Sequence, residues 1–108
     1  MQNILHNTPE QIELFDKVLK KKGITHQTMV LGEELSELNQ AASKAVRYGT
    51  NDAKEHLSEE IGDVIVMLKQ FMFCYSVSEE EIQDIVNWKL GRLERKVLGV
   101  TEKDDGKL

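Results

Sequence analysis

The sequence has one cysteine, one proline and three histidines, and aromatic residues make up only 6% of its 108 positions. With Cys74 alone no disulfide can close within the chain, and its apolar neighbourhood suits a buried structural thiol better than a nucleophile. A single proline, Pro9, and the lack of any strictly alternating apolar and polar run leave little basis for strands. No segment reaches the roughly 18 uninterrupted apolar residues of a membrane span. The richest, Val64 to Tyr75, is broken by Lys69 and Gln70. Met1 to Pro9 lacks the basic start and apolar core of a signal peptide, so a cytoplasmic location is expected. The formal net charge of −5 also lacks the basic excess that neutralises a polyanion, so no nucleic acid polymer is expected as a partner. A small anionic substrate stays compatible where metal ions or a local basic cluster offset the field of the whole protein.

What is present reads as helix. Apolar residues at 40% and charged residues at 31% describe one soluble domain, expected over 1–99, with a polar mobile tail at 100–108. Thr8-Pro9-Glu10-Gln11 offers a capping box with proline at the first helical position, and Gly23 ends a first helix over about 9–22. A second helix starts near Thr25, and Leu31, Leu35, Leu38, Ala42 and Ala45 form its stripe until Gly49. Asn51 caps a third, with Leu57, Ile61, Val64, Leu68, Phe71 and Tyr75 in the same rhythm and its second half the most buried segment of the chain. Ser78 and Glu81 form another capping box, opening a fourth helix with Ile82, Ile85, Val86, Leu90, Leu93 and Val97 and an end near Gly99. Short connections predict an all-α antiparallel four-helix bundle.

Two acidic motifs stand out on this scaffold. Glu34 with Glu37, and Glu60 with Asp63, are spaced three apart, so each pair projects from one helical face across a single turn and borders the apolar stripe. Acids on helices usually form a solvated face. Two pairs converging from antiparallel helices would instead repel one another, and a bound cation relieves that repulsion. Oxygen ligands suit Mg²⁺, which keeps waters and substrate phosphates in its remaining positions, and Mn²⁺ is a compatible substitute. The residues three before His6, His26 and His56 are Asn3, Gly23 and Ala53, so the Glu-x-x-His pairs of di-iron bundles are missing and the histidines read as surface or capping residues. Gly32 and Gly62, inside helices beside the acids, hint at close backbone approach.

Glu33-Glu34-Leu35-Ser36-Glu37, a spacer of 38–59, and Glu60-Ile61-Gly62-Asp63 together resemble the EExxE and ExxD pattern of the MazG-like nucleoside triphosphate pyrophosphohydrolases. Asn87-Trp88-Lys89 with the following Arg92 and Arg95 extends the likeness over roughly Thr25 to Val97. One departure is Val30-Leu31-Gly32, where many members carry a basic residue. The resemblance implies a bundle of the all-α NTP pyrophosphatase type. Its activity would be Mg²⁺-dependent hydrolysis of a nucleoside triphosphate between the α and β phosphates, to a monophosphate and pyrophosphate. Glu34, Glu37, Glu60 and Asp63 would be the metal ligands, and Glu33 or Glu59, four residues before Glu37 and Asp63, would orient or deprotonate the attacking water.

Lys44 lies seven residues past Glu37, on the same face and roughly 10 Å along it, with Arg47 one turn further; both are candidate phosphate contacts. Lys89, Arg92 and Arg95 are further candidates. Trp88 and Tyr48 are candidate base-stacking residues, Asn39 and Asn87 candidate base readers, and Tyr75 reads as core. A domain this small buries its long stripes best as an oligomer, and the resemblance also implies a homodimer or homotetramer. The competing expectation is a non-catalytic helical module that binds metal or nucleotide, or serves only in oligomerisation.

Overall fold

The computed structural model describes residues 3–99; the tail expected at 100–108 lies outside the described residues. Four helices follow in order: α1 Pro9–Lys22, α2 Ile24–Tyr48, α3 Asn51–Cys74 and α4 Glu79–Leu98. No strand occurs among the described residues. Both capping boxes form, Thr8 with Gln11 and Ser78 with Glu81. The start of α3 differs from expectation: Thr50 is the cap, its hydroxyl accepting from the Ala53 N–H, and Asn51 is the first helical residue. A threonine oxygen meets the same orphan amide that an asparagine would, one position earlier.

Gly23 alone joins α1 to α2. Its N–H donates to Leu19 O, closing α1, and its carbonyl accepts from the Gln27 N–H, opening α2. Its φ of 84° with ψ of 157° is a conformation that a Cβ would disfavour, which is why a glycine can turn the corner in one residue and α2 begins before Thr25.

The chain divides between Ser76 and Val77 into two compact units. In the first, α2 and α3 pack along their length and α1 packs on both. The pair is antiparallel, since Gln27 of α2 bonds Gln70 of α3 while Glu37 lies against Glu60. The buried α2–α3 seam differs from the stripes expected from periodicity. Glu34 and Ala41 take the places expected of Leu35 and Ala42, and Glu60 and Met67 those of Ile61 and Leu68. Leu35 is 47% exposed and Ile61 43%. Both helices carry apolar residues over a wide arc, so two stripes one residue out of phase share Leu31, Leu38 and Ala45, and packing selects the one that includes the acids.

The second half of α3 holds most of the buried residues of this unit, among them Val64, Met67 and Met72, but also Lys69 and Gln70. Gln27 Nε2 donates to Gln70 Oε1 at 2.8 Å, and Lys69 Nζ donates to Gln11 Oε1 at 2.9 Å. Asn7 Nδ2 donates to Lys69 O, tying the segment before α1 to α3. Tyr75, expected in the core, is exposed and stacks on Phe71 with ring centroids 6.3 Å apart. Cys74, beside it at the end of α3, is half-buried. In the second unit, Arg92 is buried beside the Trp88 ring, whereas Ile85, Val86, Leu90, Leu93 and Val97 of α4 are exposed.

Candidate functional site

The antiparallel register places Glu34 and Glu37, one turn apart on α2, opposite Glu60 on α3. One carboxylate oxygen from each of the three lies within 4.8 Å of the others. Glu34 and Glu60 occupy seam positions flanked by Leu31 and Leu38 on α2 and by Leu57 and Val64 on α3, which withdraws their carboxyls from water. Glu60 is only 8% exposed. The Oε2 atoms of Glu34 and Glu60 are buried and have no hydrogen-bond partner.

The electrostatics follow from this crowding. Burial pushes the Glu34 carboxyl above the ordinary carboxylate range, and the charges of Glu37, Asp63, Glu60 and Glu33 push it further. Burial likewise raises Glu60, helped by Glu37 and Asp63, while His56 acts in the opposite direction. A hydrogen bond with Glu37 also favours the protonated form of Glu60. Like-charged oxygens this close, two of them buried without a donor, form an arrangement that a cation would relieve. Divalent ions with oxygen preference fit the donor set.

The expected site residues fall into groups. Glu34, Glu37 and Glu60 are brought together; Asp63, the fourth expected ligand, is exposed and stands outside this three-carboxylate cluster, although its charge acts on both buried carboxyls. Glu33 is exposed but also acts on Glu34; Glu59 is exposed and stands outside the three-carboxylate cluster. Further along α2, Lys44 and Arg47 line a shallow polar depression with Asn39, Gln40 and Ser43. Arg47 also lies over the exposed Tyr48 ring, 5.5 Å from its centroid. On α4, Asn87 Oδ1 accepts from Gln83 Nε2, and Lys89 and Arg92 lie over Trp88 at 5.8 and 5.6 Å.

One sequence expectation needs correction. Gly32 and Gly62 do not mark close approach, because a Cβ built at either would have no neighbour within 4 Å. His56 is on the surface as expected, yet its Nε2 lies 3.8 Å from Glu60 Oε1. The two residues are four apart, one turn of α3, a spacing different from the three-residue step of Glu-x-x-His pairs.

Comparison of the chain with protein-family models, with curated proteins and with solved structures finds no match. The case for a function therefore rests on the residues themselves.

Proposed function

We propose that the protein is a Mg²⁺-dependent nucleoside triphosphate pyrophosphohydrolase that cleaves between the α and β phosphates, with Mn²⁺ able to substitute. The observation carrying this reading is the meeting of Glu34, Glu37 and Glu60 with two buried oxygens lacking donors. A solvated acidic face has no reason to bury unpartnered carboxylates. The order and spacing of the EExxE and ExxD motifs supply the substrate class by resemblance.

In this reading Glu34, Glu37, Glu60 and Asp63 hold the ions. When bound, these ions neutralise phosphate oxygens and acidify water. Glu33 accepts a proton from the water that attacks the α phosphorus, Glu59 being the other carboxylate in reach of that role by sequence spacing. The bond from the α phosphorus to the bridging oxygen breaks, and that oxygen leaves with pyrophosphate. Lys44 and Arg47 on α2 contact the phosphates, and Asn87, Lys89 and Arg92 are the substrate contacts that the resemblance assigns to α4.

The same reading includes the four-helix architecture of the all-α NTP pyrophosphatases, assembled as a homodimer or homotetramer in the cytoplasm. Exposed apolar residues beside the seam, Leu35, Ile61 and Leu68 among them, favour assembly, since burial of such residues drives association. No helix among the described residues is long and apolar enough to cross a membrane.

The test is pyrophosphate release from a panel of ribo- and deoxyribonucleoside triphosphates, with and without chelator. Turnover that needs Mg²⁺ and is abolished in Glu37→Gln and Asp63→Asn, with helicity intact, supports the assignment. Binding of Mg²⁺ without turnover of any triphosphate would leave the non-catalytic module in its place.

A further inference from the structure

Helix α4 carries an apolar seam that the proposed chemistry does not use. Val86, Leu90, Leu93 and Val97 are spaced by four, three and four residues, the a and d places of a heptad, and so form one stripe along the helix. All four are exposed, Leu90 by 58% and Val97 by 74%. The stripe begins at Val86, because Glu79 and Gln83 hold the preceding d and a places. Along it lies a shallow apolar depression of about 200 Å³ lined by Val86, Lys89, Leu90 and Leu93. Those residues occupy successive d, g, a and d places. In a coiled coil such a set of four is the hole into which a side chain of the facing helix inserts.

The charges beside the stripe bear on what fills it. Lys89 flanks it at g and Glu94 at e, five residues on, which is the step from g of one helix to e of the next heptad on a parallel neighbour. A second, parallel α4 therefore puts its Leu90 into the depression and sets Lys89 against Glu94 of the second copy, twice by symmetry. The antiparallel pairing that brings the same four apolar residues together sets Lys89 against Lys96 instead, and like charge opposes it. An anionic lipid surface would be repelled by Glu79, Glu80 and Glu81 on the same helix. We propose that two copies of the chain pair through parallel α4 helices, with Val86, Leu90, Leu93 and Val97 as the seam and Lys89 paired with Glu94 across it. This inference rests on the self-association proposed above and not on the hydrolytic reading. It names a contact distinct from the exposed residues beside the α2–α3 seam. Lys89, a substrate contact by resemblance, has in this geometry a partner in Glu94 of the second copy, so the test is made without nucleotide.

The full chain is followed by analytical sedimentation over a range of concentrations, for the parent, Leu90→Lys, Lys89→Glu, Glu94→Lys and the double exchange, with helicity checked by circular dichroism. Leu90→Lys should lose one association step that the parent shows, a dimer becoming monomer or a tetramer becoming dimer. Each single charge reversal should weaken that step roughly tenfold, since two pairs per dimer turn from attraction to repulsion, and the double exchange should return it to within about threefold of the parent. A folded Leu90→Lys that associates as the parent does overturns the proposal and leaves self-association to another face. Tighter association of Lys89→Glu overturns it in favour of the antiparallel pair, because that change relieves Lys89 against Lys96. A double exchange no tighter than the single reversals also overturns it, even if Leu90→Lys fails to fold. A parent that is monomeric at every concentration refutes the self-association reading as a whole, and co-sedimentation of that monomer with phosphatidylserine vesicles would give the α4 face to lipid.

Discussion

Gln27 Nε2 donates to Gln70 Oε1 across the α2–α3 seam, seven residues before Glu34 on one helix and seven after Asp63 on the other. Both amides are buried. A polar pair in an apolar seam penalises every register that separates its members, so this bond helps select the alignment in which Glu37 lies opposite Glu60. His26 Nδ1 lies 2.9 Å from Gln27 Oε1, and Gln70 Nε2 donates to Met67 Sδ at 3.5 Å, extending the polar layer at both ends.

Replacing one amide leaves the other buried without its partner. Gln27→Leu or Gln70→Leu should each cost about 2 kcal/mol in urea unfolding, while the double variant should cost less than the sum by about 1 kcal/mol or more. Strict additivity would mean that the two amides do not depend on one another. The double variant should also bind Mg²⁺ more weakly than the parent, because an apolar pair tolerates neighbouring registers that the amide pair does not.

The raised carboxyls of Glu34 and Glu60 set the pH dependence of stability. Their folded-state affinity for protons exceeds that of the unfolded chain, so the folded form holds more protons just above the ordinary carboxylate range. Stability from these two groups is fully present below that range and is lost as pH rises through their raised values. In chelator, Glu60→Gln should therefore have a higher Tm than the parent at neutral pH, with the advantage vanishing in acid. A variant less stable than the parent at neutral pH would show that Glu60 is not held against its own charge.

Mg²⁺ should act on the same strain from the other side. A ligand that binds only the folded form raises Tm with concentration, so Mg²⁺ should stabilise the parent beyond a control matched for ionic strength, and chelator should reverse the effect. Glu37→Gln is expected to lose most of this rise, because it removes the charge of one of the three converging carboxylates. An equal rise in parent and variant would assign the effect to ions elsewhere on the surface.

The helices were legible because caps and breakers are local: Thr8, Gln11, Ser78, Glu81, Gly23, Gly49 and Gly99 act within one turn of their positions. The phase of the seam was less so. A stripe through Leu35 and Ile61 is the more apolar choice, and only three-dimensional packing shows that Glu34 and Glu60 lie inside. The meeting of Glu34, Glu37 and Glu60 follows from paired spacing on antiparallel helices, whereas the same spacing does not show that Asp63 stays outside their cluster. In the sequence Lys69 is a break in the apolar run, because residue type does not reveal a distant acceptor. Gln11 lies 58 positions away.

That acceptor suggests the last prediction. Gln11 Oε1 receives two donors, the Thr8 N–H at 3.1 Å as part of the capping box and Lys69 Nζ at 2.9 Å. Lys69 is buried, and the partner seen for its ammonium is this neutral amide. Gln11→Glu keeps an oxygen for both donors, since glutamate closes a capping box as well as glutamine does. It also places a negative charge at the positive end of α1 and supplies the ammonium with a counter-charge. The variant should unfold at higher temperature than the parent near neutral pH and lose the gain as the new carboxylate is protonated in acid. Gln11→Ala, which withdraws the acceptor from both donors, should instead cost about 2 kcal/mol. Thermal and urea unfolding of the two variants would decide the matter, and destabilisation by both would mean that the side chain acts through its shape and not through the oxygen shared by Thr8 and Lys69.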